Sequence, residues 1–97
     1  MSIVVRFNPT NLTQEQYDEV ITRLQAKGGF PPEGLSYHIV FGPDDALTVS
    51  EVWDSHEHFD AFGPLLMPIL EEVGIQFAGP PEVLPVVAVI QRPHAYS

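Results

Sequence analysis

The stretch from Leu47 to Gly74 leaves this chain few options. Leu47, Val49, Glu51 and Trp53 alternate with Thr48, Ser50 and Val52, which is strand period in β-branched and aromatic residues. Asp54-Ser55 ends the strand, and Ser55 can cap a helix because its hydroxyl accepts an orphan amide proton. His58 stands three residues on, where a full capping box has Glu or Gln. Phe59, Phe62, Leu66, Ile69, Leu70 and Val73 then recur at helical spacing, and Gly74 supplies a stop. Gly63-Pro64 and Pro68 interrupt that pattern. Each proline removes an amide donor and crowds the turn before it, so the expectation is a kinked helix or two short ones.

The flanking segments complete the order. Ile3 to Phe7 reads as a first strand and Asn8 to Leu12 as a loop. Thr13 caps a first helix, with Gln16 completing a capping box, and Tyr17, Val20, Ile21 and Leu24 form its apolar stripe. Lys27 suits its last turn and Gly28-Gly29 ends it. Pro31-Pro32-Glu33-Gly34 is a stiff loop, Leu35 to Phe41 a second strand, and Gly42 to Ala46 a turn into the strand that ends at Trp53. Ile75 to Glu82 is a Gly/Pro-rich loop, Val83 to Gln91 a fourth strand, and the residues after Arg92 a short tail.

The resulting order is β-α-β-β-α-β, an α+β, ferredoxin-like split arrangement with both helices on one face of a four-stranded antiparallel sheet. Residues 1–97 make one domain, and self-association would help a core of this size. Val86 to Ile90 is apolar on both sides, as for a strand covered twice. A monomer would leave an apolar sheet face in water, so a homodimer packed sheet against sheet is expected.

Charge removes several classes of function. Four Lys and Arg stand against thirteen Asp and Glu, a formal net charge of −9. That balance offers no phosphate-binding footprint, so nucleic acid is not expected as a partner, and repulsion from anionic lipid argues against a membrane surface. The absence of cysteine excludes a thiolate nucleophile, a disulfide and a Cys-ligated metal. Met1 to Arg6 runs directly into a strand without a signal-peptide layout, and no apolar run is long enough to span a bilayer. The expected location is cytoplasmic. The ten prolines fall mostly at element boundaries and read as punctuation.

The β-α-β-β-α-β order, the Glu51-Val52-Trp53-Asp54-Ser55 junction and the Phe59-x-x-Phe62 that follows resemble the dimeric α/β-barrel superfamily, and within it the antibiotic-biosynthesis-monooxygenase-like domains. The resemblance covers nearly the whole chain. It implies a barrel formed by two copies. For function it implies a range: cofactor-free monooxygenases, haem-degrading enzymes, isomerases, cyclases and members without known activity. Trp53 matches the tryptophan that lines the monooxygenase pocket, whereas Val49 stands where those enzymes carry an asparagine. Asn8 resembles the asparagine of the haem-degrading branch, but Phe62 and Glu72 occupy the places of its tryptophan and axial histidine. No haem or other cofactor is therefore expected.

A turn centred on Asp44-Asp45 sets Gly42 opposite Leu47, Val40 opposite Val49, His38 opposite Glu51 and Ser36 opposite Trp53. By the resemblance, the Trp53 face looks toward the helices. His38 and Glu51 share it, Asn8 joins it by its own resemblance, and Arg6 has the parity of Asn8. The expectation is an apolar cavity on which Arg6, Asn8, His38, Glu51 and Trp53 converge, with Phe62 among its fillers, built to hold a hydrophobic small molecule. His38 would act as acid/base, Glu51 would orient it, and Arg6 or Asn8 would stabilise a developing oxyanion. The same set also reads as polar groups that only satisfy one another. Two functions follow: a cofactor-independent monooxygenase or proton-transfer isomerase or cyclase on a hydrophobic or aromatic substrate, and a non-catalytic dimeric binding or stress-associated domain. Asp54, His56 and His58 diverge at a helix start and lack a clear fourth ligand, so no metal site is expected.

Overall fold

The computed structural model of the protein describes residues 1–92. Its elements are β1 (Ile3–Phe7), β2 (Pro9–Thr10), α1 (Gln14–Ala26), β3 (Leu35–Phe41), β4 (Thr48–Trp53), α2 (His56–Val73), β5 (Gln76–Phe77) and β6 (Glu82–Pro85). The main sheet runs β3-β4-β1-β6, all neighbours antiparallel, and β2 pairs with β5 in a small second sheet. This is the ferredoxin-like α+β fold. No helix among the described residues is long and apolar enough to cross a membrane.

Register decides which residues meet the helices. Ile3 pairs with Trp53, Val5 with Glu51 and Phe7 with Val49, and Glu51 pairs in turn with His38. Directly opposed residues share a face. Ile3, Val5, Phe7, Val49, Glu51 and Trp53 are all buried, packed against Val20 and Leu24 of α1 and Phe62, Leu66, Ile69 and Leu70 of α2. The opposite, outer face carries Ile39, Phe41 and Leu84, each about half exposed.

Both helices begin where their caps place them. Thr13 and Gln16 form the reciprocal capping box of α1, and the Ser55 hydroxyl accepts the His58 amide at the start of α2. Gly74 closes α2 at a φ of 87°, the left-handed region that glycine enters without cost. Pro64 and Pro68 do not divide α2 into two helices: it runs unbroken from His56 to Val73. Burial of Phe62, Leu66, Ile69 and Leu70 along one face outweighs the two missing amide donors, because tertiary packing supplies most of a helix's stability.

Three further expectations are corrected. The fourth strand stops at Pro85 and does not reach Gln91. Val86 still donates its amide to the Ser2 carbonyl, but β1 offers no partner beyond that point. Val87 and Ile90 are almost fully exposed. The Asn8–Leu12 and Ile75–Glu82 loops contain the short β2–β5 pair. Ser36 does not face Trp53: an irregularity between Leu35 and Tyr37 sets Leu35 opposite Trp53, and the Ser36 hydroxyl donates to Asp54 Oδ1 at 2.7 Å. The tail expected after Arg92 lies outside the described residues.

Gly34 ties the loop before β3 to the start of α2. Its carbonyl accepts the Asp54 amide at 2.8 Å, its φ is 88°, and a Cβ there would stand 2.3 Å from His58 Cγ. Gly34→Ala therefore combines a left-handed backbone penalty of ~1–2 kcal/mol with a collision against the helix start. Urea denaturation is expected to show a loss of at least that size. A change within error would overturn the argument.

Candidate functional site

Four side chains from three elements form one hydrogen-bonded chain. Trp53 and Glu51 are two apart on β4 and point the same way, so the indole Nε1–H donates to Glu51 Oε1 at 3.0 Å. His38 lies across the strand pair from Glu51, and its Nδ1 meets Glu51 Oε2 at 2.7 Å. Tyr17 reaches down from the apolar stripe of α1, and its hydroxyl lies 2.7 Å from His38 Nε2. An ionised carboxylate only accepts, so Nδ1 carries the hydrogen on its bond to Glu51. In the neutral ring, Nε2 is left to accept from the Tyr17 hydroxyl.

Packing holds the imidazole in that orientation. The Tyr17 ring stacks on it at 5.8 Å between centroids and an interplanar angle of 20°. Phe30 meets it edge-on at 5.4 Å. Trp53 is fully buried and packs against Phe59 and Phe62 at 5.7 and 5.5 Å. Glu51 is the single buried charged residue among those described. Burial pushes the Tyr17 phenol above its ordinary value, and the charges of Glu51 and Asp18 add to the rise. Tyr17 therefore stands as a neutral O–H donor beside the ring.

The chain ends on a cavity of about 60 Å³ between sheet and helices. Its walls include Phe7, Leu12, Ile21, Val49, Phe62 and Phe77, and its polar groups are Tyr17, His38 and Glu51. An apolar hollow with a few convergent polar groups is the usual build of a small-molecule site.

Of the residues assigned to the site from the sequence, the structure brings His38, Glu51, Trp53 and Phe62 together and leaves two elsewhere. Arg6 pairs with Ser50 and Glu82 on the outer face, half exposed and 4.0 Å from Glu82. Asn8 is exposed just past the end of β1, and its carbonyl accepts the Ala78 amide. The physical reason is parity: β1 turns Ile3, Val5 and Phe7 inward, so even-numbered Arg6 points away. The helical spacing places Tyr17 in a core or interface stripe, and it is the structure that brings its hydroxyl to His38. The available signal was its position, since a buried tyrosine hydroxyl needs a partner and His38 occupies the strand face that α1 covers. His56 and His58 do not converge on Asp54: His56 Nδ1 is 2.9 Å from Asp60 Oδ2, and His58 Nδ1 is 2.7 Å from the Ser55 hydroxyl.

Fold and site define a small ferredoxin-like domain with a half-buried histidine paired to a buried carboxylate beside an apolar cavity. No family model and no curated protein matches the sequence. Solved structures do. SnoaB from Streptomyces nogalater, described as a cofactor-independent oxygenase, superposes with a TM-score of 0.59 at 18% identity, covering 94% of this chain and 96% of that one. A conserved protein from Methanosarcina mazei Go1 superposes with a TM-score of 0.53 at 17% identity, covering 86% and 88%. At such identities the likeness is one of fold alone.

The raised Tyr17 phenol has a measurable consequence. Its folded-state value lies above the ordinary 10.0, so the unfolded chain releases this proton first as pH rises. Stability from this group is complete below about pH 10 and falls as pH climbs toward the folded value. Tyr17→Phe is expected to flatten that decline in urea denaturations at pH 9 and pH 11. An unchanged slope would show that Tyr17 does not titrate this way.

Proposed function

We propose that this protein binds a hydrophobic small molecule in the cavity between sheet and helices and moves a proton on it, with His38 as acid/base. The observation that carries this reading is the Trp53–Glu51–His38–Tyr17 chain, because it ends on the cavity lining. Glu51 fixes the ring so that Nε2 faces the cavity side and compensates the charge that appears when Nε2 takes a proton. The Tyr17 hydroxyl gives up its bond to Nε2 and turns to a developing oxyanion, the role that parity denies to Arg6 and Asn8. An isomerisation or cyclisation would need only that proton transfer. A cofactor-free oxygenation, the chemistry named for SnoaB, would start with the same abstraction; the resulting carbanion would bond to dioxygen, and the peroxide would lose its outer oxygen and the carbon's second hydrogen as water, leaving a carbonyl. Val49 lines the cavity here, so an apolar side chain stands where the resembling monooxygenases carry an asparagine.

One observation favours the second reading, a non-catalytic binding domain. No buried side-chain polar atom among the described residues lacks a hydrogen-bond partner, so the polar set satisfies itself without a ligand. Proton exchange separates the two readings. A panel of small 1,3-diketones in deuterated buffer, followed by NMR, is expected to show exchange that falls by about a hundredfold or more in His38→Gln. The melting temperature should shift by only a few degrees, because Gln can still donate to Glu51. Exchange that survives His38→Gln, or none with the wild type, would favour the binding domain.

The proposed assembly is a homodimer through the outer sheet face. Ile39 and Phe41 are about half exposed there, and Leu84 and Val89 equally so. Val4, Tyr37, Ile39, Val52, Val89 and Ile90 line an apolar hollow of about 350 Å³ on the same side. A second copy would cover this surface, as contiguous apolar faces of this kind require. Native mass spectrometry is expected to show a dimer for the wild type and a folded monomer for Ile39→Glu, which places a charge in the middle of that face. A wild-type monomer would sink the proposal.

A further inference from the structure

Phe62 lines two spaces at once. On one side is the inner cavity of about 60 Å³ that ends at His38 and Tyr17. On the other is a cleft of about 330 Å³ between the Gly28–Glu33 loop and α2, bounded by His58, Ala61 and Leu65. The side chain itself is buried and packed on Trp53.

Size and charge both restrict what the inner space accepts. A dry cavity that binds benzene measures ~150 Å³, well above the inner volume here. No lysine or arginine lines the cavity, whereas the buried carboxylate of Glu51 does. An anion would therefore enter a low-dielectric site with no counter-charge and a like charge already present. The wall on the Phe62 side also adjoins the proline-interrupted stretch of α2. Pro64 and Pro68 leave the Asp60 and Pro64 carbonyls without their helical donors, and Gly63 has no atom within 4 Å of where a Cβ would stand.

We infer that Phe62 is the residue that sets the size of the molecule this site takes, and that the molecule is uncharged and smaller than a fused ring system. Its polar end lies at His38 and Tyr17 and its apolar end stops at the Phe62 ring. Shortening Phe62 joins the two spaces and extends the site toward Gly28 and Gly29. This deepens the reading of the cavity as the reactive site and rests on it.

Titration calorimetry with 2-naphthol and 2-naphthoate tests the inference, since the two probes differ only in charge and polar group on the same fused rings. Phe62→Ala is expected to bind 2-naphthol at least about tenfold more tightly than the wild type, with no gain for 2-naphthoate. Ile69→Ala, an equally buried position on α2 that does not line the cavity, should gain nothing. Circular dichroism reports whether each variant is folded. If Phe62→Ala is not, Phe62→Leu takes its place with a smaller gain of about threefold. Equal naphthol binding by wild type and variant overturns the inference, as does a matching gain in Ile69→Ala, a gain for naphthoate, or no gain in a folded Phe62 variant. Turnover of a fused-ring substrate by the wild type would sink the Phe62 assignment and leave the proton-transfer reading standing. Size selection that persists alongside undiminished exchange in His38→Gln would do the reverse.

Discussion

The carboxylate of Glu51 is the one buried charge among the described residues, and much of the interior is arranged around it. Removing an ionised carboxylate from water costs several kcal/mol unless hydrogen bonds replace the lost solvent. Here each oxygen has a donor: the Trp53 indole serves Oε1 and the His38 ring serves Oε2. Those two bonds require Trp53 and Glu51 on the same face of β4 and His38 in register on β3. They also hold the imidazole against Tyr17 of α1. One electrostatic requirement therefore couples two strands and a helix. A half-satisfied network of this kind would be less stable than an apolar core, which is why its members stand or fall together.

The same arrangement accounts for the site's chemistry. A histidine on the surface of a sheet would rotate freely. Between the Tyr17 ring and the Phe30 edge, with Nδ1 committed to Glu51, this one presents a single nitrogen in a single direction. The surrounding walls are apolar, so the few polar atoms act in a medium that strengthens their interactions. The helix that roofs the site is built differently. The prolines of α2 weaken its internal ladder while its buried face keeps it continuous, and Phe62 stands in that stretch.

Much of this was legible along the chain because it depends on local period and on short-range pairing. The Thr13–Gln16 capping box, the Ser55 cap, the Gly74 stop and the hairpin that sets His38 opposite Glu51 all depend on residues a few positions apart. What was misread depends on partners that sequence spacing does not supply. The prolines of α2 looked like breaks because the packing that outweighs them comes from the sheet. Val86 to Ile90 looked like a strand because its residues favour one, yet a strand also needs a neighbour, and β1 ends first. Arg6 falls inside only if it follows the resemblance of Asn8, whereas the structure buries the alternate set Ile3, Val5 and Phe7.

By itself the sequence determined the main strands and helices and their order, the outer ends of both helices and the pairing of one histidine with one glutamate, since period, capping and turn chemistry act over short stretches of chain. Only the tertiary structure decided that Tyr17 completes the chain, that Arg6 and Asn8 stand apart from it, and that Phe62 separates two spaces. Those outcomes depend on how α1 and α2 settle on the sheet, and that is set by packing between residues far apart in the chain.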